Sequence, residues 1–71
     1  MIYDSTKDGE IVRALQPGDV ARAMHPNSKA EALAEGSTAV ALVAGSTAVA
    51  LAEGSTAKAW VAGAIAIPYA A

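Results

Sequence analysis

Residues 36–53 read Gly36-Ser37-Thr38-Ala39-Val40-Ala41-Leu42-Val43-Ala44, then Gly45-Ser46-Thr47-Ala48-Val49-Ala50-Leu51-Ala52-Glu53. Seven of the nine positions are identical between the two halves. Outward from this pair the same frame continues in both directions: GEIVRALQP, GDVARAMHP and NSKAEALAE before it, GSTAKAWVA and GAIAIPYAA after it. Seven nonapeptide units thus fill residues 9–71 without an insertion, after a lead-in of residues 1–8. They are read as one repeat domain.

Each column keeps its residue type. The first position is Gly9, Gly18, Asn27, Gly36, Gly45, Gly54 and Gly63. Asparagine is the residue that, after glycine, best tolerates positive φ, so this column marks turns. The fourth and sixth positions are alanine almost throughout, and the seventh is large: Leu15, Met24, Leu33, Leu42, Leu51, Trp60 and Tyr69. A weaker period of eighteen shows in the unit ends, which alternate AE and VA from Ala34 to Ala62.

Alanine favours helix, and eighteen residues are five helical turns. Against helix, Gly-Ser-Thr recurs every nine residues and leaves gaps too short for stable helices. Strand fits better. Thr38-Ala39-Val40-Ala41-Leu42 alternates a Thr/Val/Leu face with an Ala/Ala face, over a normal strand length. The remaining four residues of each unit make a turn, with Pro17 and Pro26 in the turn column. The predicted class is all-β, with short strands arranged as a β-solenoid, a meander or an intertwined trimeric β-helix. A solenoid would use two units per coil and give about three and a half coils.

Composition narrows the function. A chain of 71 residues has a thin core, and such chains usually lean on a disulfide, a metal or partner subunits. There is no cysteine and one histidine, so neither a disulfide nor a multi-histidine metal site is expected. Partner subunits remain. The net charge of −2 argues against nucleic acid as a partner. Ten of the twelve charged residues lie in positions 1–35. The stretch STAVALVAGSTAVALA, residues 37–52, carries no charge, and its exposure would invite cross-β aggregation. It is also the best membrane candidate, but it falls short of the roughly 20 residues a spanning helix needs. The start of the chain lacks the basic segment and apolar run of a signal peptide.

No catalytic, cofactor or metal site is predicted, and no small-molecule substrate. His25 is read as a solvated turn residue, the acids are scattered, and the glycines never form a phosphate-binding GxGxxG. Calcium binding of the nonapeptide type would need an Asp in every unit, and only Asp19 follows its glycine. Threonine fills the third position in three units only, too few for a flat threonine ladder. The candidate functional surface is apolar: Val40, Leu42, Val49, Leu51, Trp60, Ile65, Ile67 and Tyr69 are read as an oligomer core or interface. Trp60 and Tyr69 either anchor a partner or cap the end of the repeat.

The strings LAEGSTAVALVAG (residues 33–45) and AGAIAIPYAA (residues 62–71) give the C-terminal half a resemblance to the small decoration, or cement, proteins of tailed-phage heads. That resemblance implies a structural virion protein on the capsid surface. It would act as a homotrimer bound to a major capsid or other shell protein, with no catalytic residues. The alternative is a self-assembling β-repeat stalk or filament on an extracellular surface.

Overall fold

The computed structural model describes residues 1–69. They form eight short strands: β1 (Ile2–Asp4), β2 (Ile11–Ala14), β3 (Val20–Ala23), β4 (Lys29–Ala32), β5 (Thr38–Ala41), β6 (Thr47–Ala50), β7 (Thr56–Ala59) and β8 (Ile65–Ile67). Odd strands make one sheet in the order β1-β3-β5-β7, and even strands the other, β2-β4-β6-β8. All neighbours are parallel and pair residues eighteen apart, as in Val20↔Thr38 and Lys29↔Thr47. The chain is therefore a β-solenoid of four coils, two nonapeptides to a coil. Of the three arrangements open to the sequence, the meander and the intertwined trimer are excluded for this chain.

The coil count exceeds three and a half because the lead-in takes part. Ile2, Tyr3 and Asp4 pair with Val20, Ala21 and Arg22, so residues 1–8 act as a further unit that lacks the leading glycine. The strands are also one residue shorter than the alternation suggests. Leu42 falls just past β5, yet its N–H still bonds Ala23 O at 3.1 Å.

The Ala/Ala face is the interior. Ala14, Ala21, Ala23, Ala30, Ala32, Ala39, Ala41 and Ala48 are fully buried between the sheets. From β3 onward one methyl per inward residue is all that each strand contributes, with Val12 of β2 the larger core residue, which is why the chain can enclose a core without phenylalanine. Uniform small side chains also let coils stack in constant register, because no layer needs more room than the next.

Each corner is one four-residue turn. Ser46 N–H bonds Val43 O at 3.1 Å, and Gly45 between them has φ +85°. Glycine at the third place and proline at the second (Pro17, Pro26) match the type II turn. A Cβ on Gly45 would meet nothing closer than 3.8 Å, so the turn demands glycine for its backbone conformation, not for space. Asn27 meets the same demand at φ 64°. The corners are themselves laddered, with Asn27 N–H on Gly45 O and Gly45 N–H on Gly63 O.

In the four middle units the serine after the Gly or Asn closes the turn from inside. Ser46 Oγ donates to Val43 O at 2.5 Å and accepts from Val43 N–H at 3.4 Å. Ser37 and Ser55 make the same pair of bonds, and Ser28 makes them with His25. Ser28, Ser37 and Ser46 are buried, so these bonds satisfy polar groups that water does not reach.

Candidate functional site

Outer faces carry the third, fifth and seventh positions of each unit. In the first coils the fifth position is charged and paired along the stack. Arg22 forks onto Asp4 with bonds of 2.6 and 2.7 Å, and Arg13 donates to Glu31 at 2.9 Å. The Arg22 hydrogen bond holds the Asp4 carboxyl below its ordinary pKa, and Asp4 in turn raises Arg22. Further along, the same two columns become apolar or lose their partners: Val40 and Lys58 in one sheet, Val49 and Ile67 in the other. Lys58 takes part in no ion pair among the described residues.

The eight apolar residues singled out in the sequence divide between two faces. Val40, Leu42 and Trp60 belong to the odd sheet or its exit, and Val49, Leu51, Ile65, Ile67 and Tyr69 to the even sheet or its exit. Their burial differs too. Val40 lies between Arg22 and Lys58 and is only 8% exposed. Leu42 and Val49 are half-buried, whereas Leu51 is exposed. Four of the five that are exposed lie in the last coil, Trp60 on the odd side and the other three on the even side. There Trp60 is 65% exposed, and Ile65, Ile67 and Tyr69 are exposed beside it in sequence.

That coil is also the open end of the core. Ala57 and Ala66 occupy the fourth position, where the residues below them are fully buried, yet both are only partly covered, and Ala59 is exposed. Among the described residues, β7 and β8 each have a paired strand on one side and none on the other. At the opposite end, β1 and β2 are the outer strands, and there Met1, Ile2, Ile11 and Leu15 are exposed beside charged contacts. Thr6 N–H bonds Glu10 Oε1 at 2.5 Å, which holds the Glu10 carboxyl below its ordinary pKa. The Asp19 carboxylate is buried 3.1 Å from the Met1 amino group.

Tyr3 stands in the alanine column of β1, the outer strand of its sheet, and is 37% exposed.

His25 is not simply solvated. Its Nδ1 lies 3.0 Å from Ser5 Oγ, which accepts from Met24 N–H at 2.8 Å. Ser5 occupies the sixth, inward position of the first unit and is buried. No cleft among the described residues leads to this hydroxyl, and Glu10, the nearby acid, is engaged by Thr6. The pair fastens the end of the first unit to the turn after β3. The Ser–His spacing of twenty residues could have been found only by aligning residues 1–8 with the repeat.

Among the described residues no cluster of three potential metal ligands occurs, and no helix is long and apolar enough to cross a membrane. Comparison with protein-family models, curated proteins and solved structures finds no match for this chain.

Proposed function

We propose that this chain is a structural assembly protein, a short β-solenoid that works by docking its last coil onto other protein. The observation that carries this reading is the last coil itself, with a partly covered alanine core, two strands that each keep a free edge, and exposed Trp60, Ile65, Ile67 and Tyr69. Free strand edges are templates for further pairing, and exposed aromatic side chains are favoured anchors. The virion decoration or cement role that the resemblance implies is one form of this reading. A homo-oligomer then sits on a capsid shell, and no catalytic, cofactor or metal role is assigned.

Sedimentation velocity tests it. The wild-type chain is expected to exceed its 7.1 kDa monomer mass with rising concentration, and the plateau gives the number of subunits. Replacing Trp60 and Ile67 together with serine is expected to return the monomer with an unchanged β circular dichroism spectrum. A wild-type chain that stays monomeric at millimolar concentration would remove self-assembly from the reading.

A surface filament is the second reading. It is favoured by the constant eighteen-residue register, which offers each added coil the same backbone pairing.

A further inference from the structure

We propose that the last coil takes the first coil of a second copy, so that the two solenoids join head to tail in the register of a continuous stack. This rests on the assembly reading above and names its partner and geometry.

The register is already fixed by the inner coils, where every strand pairs with the one eighteen residues away. Continued across the junction, it sets Thr56, Ala57 and Lys58 of one copy beside Ile2, Tyr3 and Asp4 of the next. In the other sheet it sets Ile65, Ala66 and Ile67 beside Ile11, Val12 and Arg13.

Two of these juxtapositions complete what each end lacks. Among the described residues Lys58 has no ion-pair partner, and Asp4 faces a cation on one side only, Arg22. The junction gives Lys58 a carboxylate in the same fifth-position column that already pairs Asp4 with Arg22. Ile65 and Ile11 are both about half exposed, and side by side each covers the other. Two tails brought together would not do this, since neither β7 (TAKA) nor β8 (IAI) carries an acid.

One residue is out of step. Tyr3 would adjoin Ala57 in a column that is otherwise alanine or valine, so its ring must move aside for β1 to pair with β7. Tyr3 is therefore a brake on growth, the kind of device by which edge strands limit self-association.

The test uses the absence of native cysteine. Ile11→Cys and Ile65→Cys are prepared separately, mixed and mildly oxidised. Within one chain these positions are three strand spacings apart, roughly 14 Å, beyond the roughly 6.8 Å that a disulfide can span between Cα atoms. Any bridge is therefore between copies. The mixture is expected to cross-link at least tenfold faster than either variant alone, and faster again when both also carry Tyr3→Ala. Fast homodimers of Ile65→Cys, or no bridge in variants with a native β spectrum, would overturn the head-to-tail geometry. So would slower cross-linking on Tyr3→Ala. If wild type sediments above monomer mass while the mixture gives no bridge, assembly stands and this geometry falls. If wild type is monomeric as well, both fall.

Discussion

Ser46 shows how much of this fold is held at single positions. Its hydroxyl gives and takes a hydrogen bond with the backbone of Val43 in a place closed to water. Ser46→Ala takes that acceptor from the partly buried Val43 N–H, while Val43 O keeps the Ser46 N–H. Removing one partner of a buried pair costs about 1–3 kcal/mol. Urea denaturation should show a loss of that order for Ser46→Ala and a smaller one for Ser55→Ala, where the serine is only partly buried. Equal, negligible losses would mean that the turn is held by the backbone and glycine alone. The serine column was visible in the sequence as Ser28, Ser37, Ser46 and Ser55, but not its use. A Gly-Ser pair reads as generic turn chemistry until the corner geometry sets the hydroxyl against the carbonyl three residues back.

At the scale of the strand, alternation decides which side is in, and here the smaller side chains go in. Interiors ordinarily gather the larger apolar residues, so Val40, Leu42, Val49 and Leu51 look like core. The two-sheet stack reverses this, because only the alanine face is uniform enough to be laid down identically every eighteen residues. Ala48 is fully buried in β6, beside Ala30 in β4 and Ala66 in β8. Ala48→Leu inserts three carbons into a layer built for methyls. Overpacking a close-packed interior costs about 1–3 kcal/mol, occasionally more. Leu51→Ala, at an exposed position, should cost less than about 1 kcal/mol. Equilibrium denaturation of the two variants checks the assignment, and the opposite ranking would put the leucine face inside.

The whole molecule behaves as a linear stack. Each coil packs mainly against its neighbours, so stability is approximately a sum of coil and interface contributions, and the ends have one interface fewer. Amide hydrogen exchange in dilute protein should therefore be slowest in β4, β5 and β6 and fastest in β1, β7 and β8. The charged contacts of Asp4, Glu10 and Arg22 should slow the first coil relative to the last. Uniform protection in the dilute limit would show a single all-or-none unit in place of a stack. In concentrated protein the last coil is where assembly should add protection.

The sequence by itself determined the unit, its length, its turns and the all-β class, because these rest on local chemistry. Positive φ selects Gly or Asn, proline fits a turn, and a two-residue alternation makes a strand with two unlike faces. The doubling of the unit to eighteen residues was faintly written in the AE and VA endings. Only the tertiary structure decided that two nonapeptides close one coil and that the alanine face is the interior. It alone brought residues 1–4 into the stack, set Ser5 against His25, and left the last coil open. These outcomes depend on which strands meet, a property of backbone pairing across eighteen residues that no single unit encodes.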